Sequence, residues 1–375
     1  MMECTEPRQG AAMAVCERSA PLRLSALGFG SAGIAGMYRD VTHAQALATV
    51  DAAWDTGVRY FDTAPFYGYT KGEHRLGAAL ASRNRDEFVL STKAGRMLTP
   101  AGASDASVSP DGWVNPFPFK VRFDYTRDAI LRSFEDSLQR LGMARVDVLL
   151  VHDIGSYTHG SDPDTAAYYW RQLSDSGFKA LDELRSAGVV GAVGLGVNES
   201  AAIVDALREF DLDCALLAGR YTLLEQTVLA DLLPACEARG VGVLIGGAFN
   251  SGILARGRGA PAQGPDRVQP AFNYASAPPH IVARVECMVA VCDRFDIPLS
   301  AAALQFPYAH PAVKSIVTGA RSPEEMLDNA RGFGLPIPLA FWDELKALGL
   351  IDRRSPLPRD CVAATQVRPL AGKRS

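Results

Sequence analysis

Short runs of β-branched and aliphatic residues alternate with longer segments of helical periodicity along most of the chain. That alternation is the signature of parallel βα units rather than of hairpins or a helical bundle. The runs are LGFG (27–30), RYFD (59–62), FVLSTK (88–93), VDVLLVH (146–152), VVGAVGLG (189–196), CALLAG (214–219), VGVLIGG (241–247) and VKSIVTG (313–319). Their number, about eight, is the strand count of a TIM barrel. Between them, Ile130, Phe134, Leu138 and Leu141 recur at helical spacing from Thr126, a good N-cap, to Gly142. A second helical pattern runs from Thr42 through Leu47, Val50 and Trp54 to Gly57.

No shift of composition separates one unit from the next, so the fold class expected is α/β, a single (β/α)8 barrel over residues 21–350. The first twenty residues carry charges throughout and lack the apolar core of a signal peptide, and read as a disordered N-terminal tail, 1–20. The C-terminal tail, 351–375, is rich in Pro, Arg and small residues and is expected to fray. One stretch, 97–125, breaks the alternation after the third strand and combines Pro, Gly and Ser with Trp and several Phe. It reads either as a flap over a pocket or as a surface insertion with a small cluster of its own.

The 375 residues are 48% hydrophobic and 21% charged, enough for a large core. A net charge of −4 with no basic run argues against nucleic acid, and no stretch is long and apolar enough to span a bilayer. Seven scattered cysteines without a CxxC pair suit free thiols in a reducing cytoplasm. The histidines at 43, 74, 152, 159, 280 and 310 show no pair at ligand spacing, so no metal is expected. Oligomeric state leaves no mark on the sequence.

In a βα barrel the catalytic groups sit at the C-terminal ends of the strands. Four polar side chains occupy such ends: Asp62, Tyr67 in the loop beyond it, Lys93 and His152. Taken singly, each has a plainer explanation, a helix cap, a packed ring or a hydrogen-bonded structural histidine. Together they form a unit. Lys93 and His152 end apolar runs that point into the barrel, where a charge needs a partner. Asp62, on the preceding strand, supplies one for Lys93. The anchored ammonium then lies beside the Tyr67 phenol and lowers its pKa from the usual ~10, making it an acid or base usable near neutrality. His152 steers the substrate oxygen against the phenol.

These residues stand in GVRYFDTAPFYG, LSTKAGR and VDVLLVHD, which resemble the signatures of the aldo-keto reductases from about Leu24 to Asn329. The resemblance implies a nicotinamide cofactor and the tetrad Asp62, Tyr67, Lys93 and His152 moving the proton that accompanies hydride transfer. FDYTRDAILRSFEDSLQRLG, LLAGRYTLLEQ, GGAFNSGIL and AALQFPYAHPAV resemble the branch holding D-threo-aldose 1-dehydrogenases, also called L-fucose dehydrogenases, and pyridoxal 4-dehydrogenases. For that branch the implied reaction oxidises an aldose of L-fucose, D-arabinose or L-galactose type at C1 to its lactone.

The cofactor contacts implied are Gly30, Ser31, Asn198, Gly247, Phe249, Ser251, Gly319, Arg321, Glu325 and Asn329. Asn198 fits the family position only with an extra residue in its loop. The family's Gln is here Ala218, before Tyr221, and its stacking aromatic aligns with Gly246, leaving Phe249 as a substitute. Pro323 can open a helix behind a phosphate-binding turn. Glu325, where NADP-preferring members commonly have Arg, would repel a 2′-phosphate, while Arg321 pulls the other way, and the reading leans to NAD over NADP. A general NADPH-dependent reductase and a cofactor-binding regulatory subunit are the competing readings. The loops 97–125 and 255–278, and the way FNYA (272–275) folds over the site, would decide the substrate.

Overall fold

In the computed structural model, which describes residues 22–102, 109, 111–160, 162–255, 271–359 and 362–370, eight parallel strands close into a barrel. They are β1 (Leu27–Gly30), β2 (Tyr60–Asp62), β3 (Val89–Ala94), β4 (Val148–His152), β5 (Ala192–Val197), β6 (Cys214–Ala218), β7 (Gly242–Gly246) and β8 (Val313–Gly319). Ring closure runs through β8 and β1, where Ile316 stands opposite Leu27 and Gly319 opposite Gly30. All eight expected runs are strands. Some start late: the strand expected from Val189 begins at Ala192 because the Val189 and Val190 N–H groups still bond the Leu184 carbonyl of the preceding helix.

Period-two alternation sorts the side chains. Phe61, Leu90, Leu149 and Val151 pack outward in the large core beneath the helices, whereas Tyr60, Val89, Val148, Leu150, Leu216 and Leu244 form a separate cluster inside the barrel. Asp62 therefore shares its face with Tyr60, Lys93 with Val89, and His152 with Leu150. All three polar groups close inward-facing rows at the same end.

Helix His43–Asp55 is capped by Thr42, whose side chain accepts from Gln45 N at 3.2 Å. Helix Arg127–Leu141 ends at Gly142 in the left-handed conformation (φ 63), as the glycine implies. Thr126 stands at its N-cap but makes no capping bond, because its hydroxyl bonds Asp124 Oδ1 at 2.7 Å. Among the described residues no helix is long and apolar enough to cross a membrane.

The expectation of a frayed C-terminus fails for the described part of it. Val367–Pro369 pairs antiparallel with Arg23–Ser25, and Leu370 is buried in the interior cluster. Arg368 donates to the Val313 carbonyl at 2.6 Å and lies 3.8 Å from the Tyr308 ring centroid. Ladder bonds, a cation–π contact and burial of Leu370, about 1.5–3 kcal/mol, outweigh a composition that suggests a loose tail. This two-stranded lid covers the N-terminal end of the barrel. The expected tail at 1–20 lies outside the described residues.

The insertion after β3 is a hairpin, Arg96–Pro100 against Phe119–Phe123. At its far end Trp113 is fully buried with Ala35 and Tyr69, against Phe66 and Tyr67. The insertion thus shares a small cluster of its own, through Leu98, Trp113, Phe119 and Val121, with the loop that carries Phe66, Tyr67 and Tyr69.

Candidate active site

At the C-terminal rim the four expected side chains converge. Lys93 Nζ donates to Asp62 Oδ2 at 2.7 Å, to the Thr63 carbonyl at 2.8 Å and to the Tyr67 hydroxyl at 3.0 Å. The other Asp62 oxygen accepts from Ser91 Oγ at 2.6 Å, and Ser91 meets the Tyr60 hydroxyl at 3.0 Å. Gly196 on β5 makes room for the lysine, since a Cβ there would lie 3.2 Å from Lys93 Cε. The His152 ring stands edge-on to Tyr67, centroids 5.9 Å apart.

Burial pulls the Lys93 ammonium down, but Asp62 and Tyr67 more than restore it, and its pKa ends above the ordinary value. It stays charged. For Tyr67 the sequence expectation is reversed: burial pushes the phenol up, Lys93 pulls it back, and the outcome lies above its ordinary value. The ammonium is where it was expected, but desolvation of a phenolate, invisible in a list of neighbours, outweighs it. His152 is held well below the usual imidazole range by burial and by the charges of Arg96 and Lys93. It is neutral at physiological pH, and its Nδ1 is buried without a hydrogen-bond partner.

A second group adjoins the first and was not foreseen. Asp153, the residue after His152, adopts a left-handed backbone conformation (φ 49). Its carboxylate pairs with Arg96 through Oδ2 and accepts from Asn198 Nδ2 at 3.1 Å through Oδ1. Beneath it the fully buried Tyr125 bonds the Asp153 carbonyl at 2.7 Å and the His152 carbonyl at 3.1 Å, and meets His159 Nε2 at 3.0 Å. Gly95 admits the Tyr125 ring, because a Cβ there would stand 2.4 Å from it. The Arg96 guanidinium carbon lies over Phe66, 4.0 Å from the ring centroid. Arg96 and Asp153 both stood inside the quoted motifs, yet only their spatial meeting marks them out.

The expected cofactor contacts lie along the same rim. Gly30 pairs with Asp62 and Gly319 across β1, and Ser31 Oγ bonds Thr63 Oγ1 at 2.8 Å. Asn198 follows β5 directly, and its carbonyl accepts from Arg220 Nε at 2.7 Å. Gly247 is exposed with φ 62, and Phe249 packs half-buried against the barrel core. Tyr221 is fully buried against Phe306 and His310. Ser251 Oγ accepts from Tyr274 N at 3.0 Å. That bond ties down a hairpin, Ala271–Phe272 against Ala275–Ser276, whose two turn residues, Asn273 and Tyr274, both have positive φ. The FNYA stretch thus folds over the site, with Arg220 on Asn273 Oδ1 at 2.7 Å; the remainder of loop 255–278, residues 256–270, lies outside the described residues.

Helix Pro323–Phe333 begins at the expected proline, capped by Ser322. Arg321 and Glu325, expected to act against each other, bond each other instead: Nη2 meets Oε1 at 3.1 Å and the Arg321 N–H meets Oε2 at 2.9 Å. Glu325 is therefore no bare carboxylate. Asn329 Nδ2 bonds Thr318 Oγ1 and the Gly319 carbonyl, each at 3.3 Å. The polar groups suit a dinucleotide: a helix N-terminus beside Gly319, where a Cβ would find nothing nearer than 3.7 Å, and an amide oxygen at Asn198.

Comparison with known proteins agrees with this geometry. The chain is 46% identical over 338 residues to pyridoxal 4-dehydrogenase of Microbacterium luteolum, covering 88% of this chain and 95% of that protein. It is 38% identical over 353 residues to D-threo-aldose 1-dehydrogenase of a Pseudomonas species, covering 93% and 99%. Its fold matches a glycerol dehydrogenase of Gluconobacter oxydans with a TM-score of 0.66 at 22% identity, over 93% of this chain and 98% of the other. Residues 26–349 match the aldo/keto reductase family, and the chain belongs to that family of oxidoreductases.

Proposed function

We propose that the protein oxidises a cyclic hemiacetal at its hydroxyl-bearing carbon to the lactone, with an aldose or pyridoxal as substrate. Both compounds close to such rings, the aldose through a chain hydroxyl and pyridoxal through the hydroxymethyl beside its aldehyde. The dinucleotide, when bound, supplies the hydride acceptor. One observation carries the reading: the Lys93 ammonium, fixed by Asp62 at 2.7 Å, stands 3.0 Å from the Tyr67 hydroxyl. Tyr67 takes the hydroxyl proton as the carbon loses its hydride, and the C–O bond becomes C=O. Neutral His152 bonds the same oxygen and fixes which face is presented.

NAD is the coenzyme favoured, because a 2′-phosphate would have to draw Arg321 away from Glu325. A cytoplasmic site of action belongs to the same proposal, in keeping with the free thiols Cys214, Cys236, Cys287 and Cys292. Initial rates with L-fucose, D-arabinose, pyridoxal and a simple aldehyde, each with both coenzymes, test the reading. It expects oxidative turnover of a ring-closing substrate. Activity confined to reduction of the simple aldehyde would replace it with the second reading, a carbonyl reductase, which the raised Tyr67 pKa favours by keeping the phenol protonated at neutral pH.

A further inference from the structure

Asn198 is held from three sides. Its side-chain NH2 faces Asp153 Oδ1 at 3.1 Å, its backbone carbonyl takes Arg220 Nε at 2.7 Å, and its Oδ1 lies 3.4 Å from the Tyr274 hydroxyl. An ionised carboxylate only accepts hydrogen bonds, so the amide must turn its NH2 towards Asp153 and its oxygen away. Burial pushes the Asp153 carboxyl up, and the Arg96 ion pair on its other oxygen, the Lys93 charge and the Asn198 hydrogen bond act against that in favour of the ionised form. Asp153 itself cannot swing aside. Its left-handed backbone is pinned by the Tyr125 hydroxyl at 2.7 Å and by its own N–H on the Gly196 carbonyl at 2.9 Å.

We propose that Asp153 is a positioning residue that sets the polarity of Asn198, so that this side chain turns its oxygen, a hydrogen-bond acceptor, towards the carboxamide of the nicotinamide ring. This rests on the dinucleotide reading given above. A primary carboxamide brings N–H donors that match an acceptor. A carboxylate in its place brings none.

The probes are NAD and nicotinic acid adenine dinucleotide, which carries that carboxylate. Their binding to the full chain is read from quenching of intrinsic fluorescence, with no substrate added. The wild type should prefer the carboxamide about tenfold or more, the scale of one mismatched buried hydrogen bond. In Asp153→Asn the new amide can donate, Asn198 can turn over, and the preference should fall to about threefold or less.

Removing a negative charge also favours an anionic ligand, so that fall alone does not suffice. Asn198→Ala should lower the preference to what the Asp153 charge alone supplies, and adding Asp153→Asn to it should shift the preference clearly less than Asp153→Asn does alone, because the part that acts through the amide is already gone. An unchanged preference in Asp153→Asn overturns the proposal, and so does an additive effect in the double variant. Where Asp153→Asn does not fold, Asn198→Ala decides: a preference kept at the wild-type level refutes the assigned polarity. Failure of the wild type to bind either probe sinks the NAD reading instead, and failure to bind NADP as well sinks the dinucleotide reading, so the failures are distinguishable.

Discussion

Both ends of the barrel bury carboxylate–cation pairs, yet the pairs do different things. Towards the floor, Asp213 Oδ2 takes Arg185 and the Val193 N–H, both at 2.9 Å, and Asp147 Oδ2 takes Arg85 and the Leu90 N–H, both at 2.7 Å. Each carboxylate ties a main-chain N–H to a guanidinium whose further bonds go to main-chain carbonyls, of Asp211 for Arg185 and of Phe88 and Arg145 for Arg85. At the rim, Asp62 and Asp153 bond side chains, and one partner of each reaches a further side-chain hydroxyl, Lys93 that of Tyr67 and the Asn198 oxygen that of Tyr274. A buried ion pair is therefore weak evidence of function by itself. What distinguishes the rim is where the partner's remaining hydrogen-bonding capacity is directed.

Lys93→Met should break the rim most severely. Turnover should fall by roughly a hundredfold or more. Stability in urea should drop by about 3–5 kcal/mol, because Asp62 is left buried and unpaired. Turnover within a factor of ten of wild type would deny Lys93 its part in the chemistry. Asp213→Asn should give the opposite pattern, costing about 2–3 kcal/mol while the folded fraction keeps its kcat. A kcat lowered in step with stability would erase the distinction between the two ends. Leu370→Ala, at the floor, should cost about 2–3 kcal/mol and leave kcat/KM unchanged. A negligible cost would mean that the C-terminal strand is only an ornament of the barrel.

Acid should act through histidines at both ends. His74, His152, His159 and His310 are all held below the ordinary imidazole value, first by burial, with His159 brought down to about 4. Each therefore binds its proton more readily in the unfolded chain, so stability rises with pH and is lost progressively as pH falls below about 6.5. Asp153 and Glu225, pushed up by burial, work the other way at lower pH. Thermal unfolding at pH 7.5 and 5.5 should show a Tm lower by a few degrees at 5.5. A flat or rising Tm would contradict the lowering of these histidines by burial.

Much of this was legible in the sequence because it is written in short-range pattern. Period-two runs mark the strands, and a lysine or histidine ending an apolar run marks an inward group at the rim. What escaped depends on the third dimension. Asp153 looks like a polar residue starting a loop until its left-handed turn carries it to Asn198, 45 positions on. The direction of the Tyr67 shift turns on how thoroughly the barrel desolvates the phenol, and residues 367–370 are ordered by a partner strand at the far end of the chain.

The central claim is that the Tyr67 phenol, gripped by Lys93, trades the substrate proton. Its most direct test is the rate of hydride transfer against pH for wild type and Tyr67→Phe, with the dinucleotide held saturating. The wild-type oxidative rate should climb with pH as the raised phenol ionises, and the variant should lose roughly a hundredfold or more and show no such limb. A variant that keeps both its rate and the alkaline rise would assign the proton to another group.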